Sequence, residues 1–169
     1  MAGRLLARGR RVELLAMVDT PGPGALPAAL ADDAARLEYL AGDRVELAAE
    51  ELRGLTAEAQ LALVVERIER AGLLPAGVSP ERVARLLATF KAHMAALRAY
   101  RPGPYPGRIL FFRARERRPL DPPHPELPWI ELAAEGVEVL PVAGNHITLH
   151  RPGQVEELAA RLAAALGPI

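Results

Sequence analysis

The sequence contains no cysteine, which excludes disulfides, thiolate nucleophiles and cysteine-ligated metal sites. Lys91 is its only lysine and Ser79 its only serine, so chemistry built on either residue type has a single candidate. Net charge is also missing: 21 basic residues balance 21 acidic ones. No global basic field is therefore available to attract nucleic acid or anionic lipid. No uncharged stretch approaches the roughly 18 residues that a membrane span requires, and the N-terminus lacks the apolar run of a signal peptide. The expectation is a soluble, cytoplasmic protein with neither nucleic acid nor a membrane as partner.

What is present is apolar material: half of the 169 residues are hydrophobic, enough for one domain with a buried core. The arginine and alanine bias fits a GC-rich coding sequence better than a binding surface.

Short apolar runs mark three strands. Val12 to Val18 is almost continuously apolar and ends at Asp19, as suits a strand covered on both faces of a parallel sheet. Thr20-Pro21-Gly22-Pro23-Gly24 then breaks the chain. Arg108 to Ala114 is a second candidate, and Val137 to Val142 a third that leads into Gly144-Asn145-His146. Between the first two, residues from about 26 to 99 read as helical in three or four pieces: Ala28 to Leu40, Val45 to Leu52, a helix capped by Thr56, and a long one opened by Ser79-Pro80-Glu81. The last carries a stripe of Val83, Leu86, Leu87, Phe90, Met94 and Leu97. A short helix near Trp129 to Ala134 and a final one from about Pro152 to Leu166 complete the chain. Strands separated by helices imply an α/β fold with parallel pairing and right-handed crossovers.

In open α/β sheets, sites collect beyond the carboxyl ends of the strands. Asp19 follows the first strand and His146 the third. Taken singly, Asp19 serves as a turn former before Pro21 and His146 as an ordinary loop histidine. Together, in the order Asp then His, they match two members of a hydrolase triad whose chain order is Ser, Asp, His. The histidine would take the nucleophile's proton and return it to the leaving group, while the carboxylate orients the ring and stabilises the imidazolium.

Phe90-Lys91-Ala92-His93-Met94 through Tyr100, followed by Pro104-Tyr105-Pro106-Gly107-Arg108-Ile109, resembles the passage from lid into strand of the thioesterase domains of nonribosomal peptide synthetases and polyketide synthases. Leu15-Ala16-Met17-Val18-Asp19-Thr20 is similar to their aspartate strand. Trp129, Val137-Glu138-Val139 and Gly144-Asn145-His146 match their histidine region in order and spacing. The resemblance covers essentially the whole chain. It implies the C-terminal part of an α/β-hydrolase, with about three parallel strands flanked by helices and residues of about 26–99 as a helical lid. By that resemblance Asp19 and His146 are the catalytic acid and base, no cofactor or metal is needed, and the substrate is an acyl or peptidyl thioester on a phosphopantetheinylated carrier protein.

The family's Gly-x-Ser-x-Gly elbow does not occur. Ser79 sits at a helix-cap signal, and the four threonines lie outside any elbow context. The uncapped helix at Met1, closed by Gly9, reads as the end of a longer helix. Three strands are also few for a two-faced sheet, so the expectation is a single partial domain spanning 1–169, inactive alone. The unpaired edge of the first strand implies self-association or a complementing N-terminal half.

Other residues carry less. His93 lies off its helix's apolar stripe, His124 sits among prolines, and the four-residue interval from His146 to His150 lacks the acidic neighbour of a zinc motif. Arg115, Arg117 and Arg118 form a basic cluster, read either as a solvated loop or as a contact for an acidic carrier protein. Two alternatives stand beside the thioesterase reading: a non-catalytic remnant that binds carrier proteins, and another α/β-hydrolase such as an esterase.

Overall fold

A computed structural model describes residues 1–25, 30, 32–42, 45–73, 79–118 and 121–167. The start of the helix expected from Ala28 lies outside the described residues. The chain divides into two compact units, one of Met1–Pro27 with Tyr100–Ile169, the other of Ala28–Ala99.

The first unit is a three-stranded parallel sheet in the order β1 (Leu15–Val18), β2 (Ile109–Ala114), β3 (Val137–Val142). Strand β3 has the expected bounds, and β2 begins one residue later than expected. Strand β1 is shorter, four residues in place of seven. Register places Val18 opposite Phe112 and Phe112 opposite Leu140, so the three carboxyl ends lie side by side.

The near-continuous apolar runs are explained by burial on two faces. Leu110, Phe112, Ala114 and Val142 pack with Leu149 and Leu158 on one face, against α7 (Val155–Leu166). Ile109 and Phe111 pack with Trp129 and Ala133 on the other, beside α6 (Leu127–Ile130). The central strand is sealed: Phe111 and Phe112 are both 0% exposed. Strand β1 is half-buried throughout, and among the described residues its outer edge has no partner strand. A groove of about 600 Å³ on the odd-numbered face is lined by α1 (Ala2–Leu6) together with Leu15, Met17, Tyr105 and Trp129. Gly9, at φ 69°, takes the left-handed conformation expected after that helix.

The second unit is helical: α2 (Asp33–Ala41), α3 (Ala49–Leu52), α4 (Ala57–Arg70) and α5 (Pro80–Ala99). Side chains close the helix starts as their sequences imply. Asp32 accepts from the Ala35 N–H at 2.8 Å, and Thr56 from the Ala59 N–H at 3.3 Å. The core gathers Leu37, Leu52, Val64 and Val83, with Phe90 stacked on Tyr39 at a centroid distance of 5.8 Å. The expected stripe on α5 holds with one exception: Leu86 is 54% exposed. Position 83 starts the inward row, and 87, 90, 94 and 97 continue it at helical spacing; 86 falls to one side.

Replacing Phe112 with Ala removes a sealed ring from the sheet centre. The expected cost is about 3–5 kcal/mol of unfolding free energy in urea titration, whereas Leu86→Ala costs under about 0.5 kcal/mol.

Candidate functional site

The site is built where the carboxyl ends of the strands meet. At Asp19 the chain leaves β1: its N–H still donates to the Phe112 carbonyl at 2.8 Å, but φ turns to 43°, the only positive value on a non-glycine residue among those described. Aspartate tolerates this region better than most residues. The turn is locked from behind. The Trp129 indole N–H donates to the Thr20 carbonyl at 3.0 Å, and the Gly22 N–H to the Pro125 carbonyl at 3.0 Å. A Cβ on Gly22 would lie 2.6 Å from Pro128, so the close approach requires glycine.

The Asp19 side chain is fully buried, and each oxygen is held. Oδ1 accepts from the Ala114 N–H at 3.0 Å, and Oδ2 lies 3.1 Å from His146 Nδ1. Arg117 spans both, with Nη1 3.2 Å from Oδ2 and Nη2 bonded to Oδ1. Burial pushes the Asp19 carboxyl up, but hydrogen bonds from His146, Arg117 and the Ala114 N–H together outweigh it and hold it below its usual value.

His146 is placed by the loop after β3. The Asn145 side chain accepts from the Ile147 and Thr148 N–H groups at 2.9 and 3.0 Å, and the Asn145 N–H donates to Thr148 Oγ1 at 2.9 Å. Gly144 sits at φ 84° with Thr148 Oγ1 2.7 Å from where a Cβ would be. The His146 side chain stays 37% exposed. When Nδ1 donates to the carboxylate, Nε2 carries the lone pair, which makes it a base with access to solvent.

Asp19 and His146, named from the sequence as strand-end residues, are thus brought into one hydrogen bond across 127 positions. The arginine cluster is dispersed. Arg115 pairs with Glu157 at 2.8 Å, Arg117 with Asp19, and Arg118, itself buried, with Asp121. Each of the three has a carboxylate partner within the chain, with Arg118 buried and Arg115 exposed. Glu157 receives Arg115, Arg161 and the Ala143 N–H, and its carboxyl is lowered to about 2. His93, His124 and His150 are exposed. Among the described residues no group of three or more His, Cys, Asp or Glu could hold a metal. Ser79 stands at the start of α5, its hydroxyl bonded to the Glu81 carboxylate and its carbonyl accepting from the Arg82 N–H.

Solved structures match the fold. A four-domain nonribosomal peptide synthetase in its holo form, bound to AMP and glycine, matches 99% of the chain with a TM-score of 0.77 at 23% identity, using 13% of its own length. The fold is that of part of a thioesterase domain of the α/β-hydrolase type. The Vlm2 thioesterase domain bound with a dodecadepsipeptide matches 95% of the chain at 25% identity and a TM-score of 0.59. The NocB thioesterase domain, in covalent complex with a fluorophosphonate nocardicin G analogue, matches 99% at 21% identity and a TM-score of 0.53. The chain spans 59% and 60% of those two domains, about three-fifths of a thioesterase domain. No family model and no curated protein matches the sequence.

Among the groups that govern acid stability are the two depressed carboxyls of the sheet unit, Asp19 and Glu157. Both are ionised in the folded and unfolded chains above about pH 5, where their contribution is complete. As the pH falls, the unfolded chain takes up protons first, near 3.8 for Asp19 and 4.5 for Glu157. Unfolding free energy should therefore be flat above about pH 5 and decline between about pH 4.5 and 2. Asp19→Asn should remove part of that slope in denaturant titrations run across the range.

Proposed function

We propose that this chain supplies the acid and base half of a serine thioesterase, and that the nucleophile comes from a segment outside these 169 residues. The observation that carries the reading is the 3.1 Å contact between the exposed His146 ring and the buried Asp19 carboxylate, each just past a parallel strand. In the proposed reaction a serine hydroxyl attacks the thioester carbonyl while His146 takes its proton. The carbon–sulfur bond breaks, His146 returns the proton to the departing thiolate, and an acyl-serine forms. Water or a nucleophile within the acyl chain then attacks the ester and gives its proton to His146; the carbon–oxygen bond to serine breaks, and His146 returns that proton to the serine oxygen. Asp19 holds the ring so that the proton sits on Nδ1 and stabilises the imidazolium between steps.

The substrate class we infer is an acyl or peptidyl thioester on a phosphopantetheinylated carrier protein. Its support is the shared fold and the activity of thioesterase domains that match it, one of which cyclises the lipopeptide surfactin. We assign the helical unit of Ala28–Ala99 the role of lid; the support is its place in the chain, inserted between the aspartate strand and the next. The second reading is a non-catalytic carrier-binding remnant; the absent Gly-x-Ser-x-Gly supports it, and so does Arg115, exposed though paired with Glu157.

The test joins a Gly-x-Ser-x-Gly segment from a complete thioesterase of this fold to the chain, in one polypeptide or as two. Thioester hydrolysis should appear, and His146→Ala should lower kcat by at least about 10³-fold. Turnover unchanged by that substitution would reject the assignment. The 169-residue chain alone should remain unlabelled by a fluorophosphonate. Static light scattering should show the chain associating through the open β1 edge at high concentration, and a 1:1 complex once the complementing segment is added.

A further inference from the structure

An Asp–His pair needs one hydrogen bond between its members, and Asp19 has that bond and a backbone N–H besides. Arg117 is additional to both. Its guanidinium lies on the carboxylate with Nη1 sharing Oδ2 with His146 Nδ1, at 3.2 and 3.1 Å. It is also fixed from behind, donating to the Ala114 carbonyl at 3.1 Å and the Pro122 carbonyl at 3.4 Å. The side chain is 21% exposed, so water screens this contact less than it would a surface pair.

Other charged groups on the surrounding elements are engaged elsewhere or face solvent. Arg113 pairs with Glu126, which also lies 3.5 Å from His124; Arg118 pairs with Asp121; Arg115 and Arg161 pair with Glu157. Glu116 and His150 are exposed. Arg117 is therefore the permanent cation placed on the same carboxylate as the histidine.

We propose that Arg117 is a positioning residue that sets the charge of the Asp19–His146 pair. A bare Asp–His pair is anionic at rest and becomes neutral when the ring is protonated. With Arg117 in place the cluster is neutral at rest and cationic when His146 takes a proton. The guanidinium therefore opposes a second positive charge on the ring, which a bare pair would not do. The guanidinium fork also fixes which carboxylate oxygen faces the ring. This inference rests on the reading of His146 as base and Asp19 as its orienter.

The experiment uses the 169-residue chain as it stands and reads the ratio of imidazolium to imidazole at His146 by heteronuclear NMR at fixed pH near neutrality. In R117M and R117Q, with the amide fingerprint retained, the ratio should rise at least about threefold. In R117K, whose ammonium keeps the charge but cannot span both oxygens, the rise should be smaller. In D19N the ratio should fall. No rise in the neutral variants, or a fall like that of D19N, overturns the proposal. Should both neutral variants unfold, the smaller R117A is read in their place, and an unchanged ratio there overturns the proposal. The measurement needs no turnover. It can fail while thioester cleavage by the complemented enzyme still depends on His146, and the reverse outcome is equally open to observation.

Discussion

The arrangement turns on one buried carboxylate. Asp19 is excluded from water, and a carboxylate in that position is stable only if its oxygens find donors. Those donors come from the two neighbouring strands: Ala114 ends β2 and Arg117 lies three residues past it, while His146 stands in the loop after β3. The parallel register that aligns Val18, Phe112 and Leu140 brings them within reach. Losing any one strand's position would strand a charge in the interior, so the sheet and the pair stabilise each other.

Around this point the sequence uses rigid local devices. Proline and glycine shape the exit from β1, with Gly22 against Pro128 and the Trp129 indole holding Thr20. Asn145 folds its own loop by accepting two backbone N–H groups, and Gly144 supplies the left-handed turn before it. The carboxylate has no solvent access while the ring keeps some, a division suited to a group that orients and a group that transfers protons.

Much of this was legible from residue order. Strand β3 was readable to the residue because Val137 to Val142 is apolar and bounded by Gly136 and Gly144, and the two dyad members stood at strand ends where such folds place them. The start of β1 was overestimated because Val12 and Leu14 are apolar without pairing partners. Arg117 was visible only as one of three neighbouring arginines. Its distinction is tertiary: it lies three residues past β2, beside the strand that ends in Asp19, and a buried aspartate needs a counter-charge. That strand adjacency was the signal available. Leu86 shows the converse error, since apolar character alone does not orient a side chain inward.

The pairing of Val18 with Phe112 has a consequence for how such a chain can diversify. Two strands that touch are separated by some ninety residues of sequence, most of them in an independent helical core. The entropy of closing a connection rises only logarithmically, about 0.6 kcal/mol for each doubling of length. An insertion at this seam can therefore lengthen, shorten or change its helices while the strand ends stay in register. The helical unit is free to drift in length and sequence, and the Asp19–His146 contact at the strand ends need not drift with it.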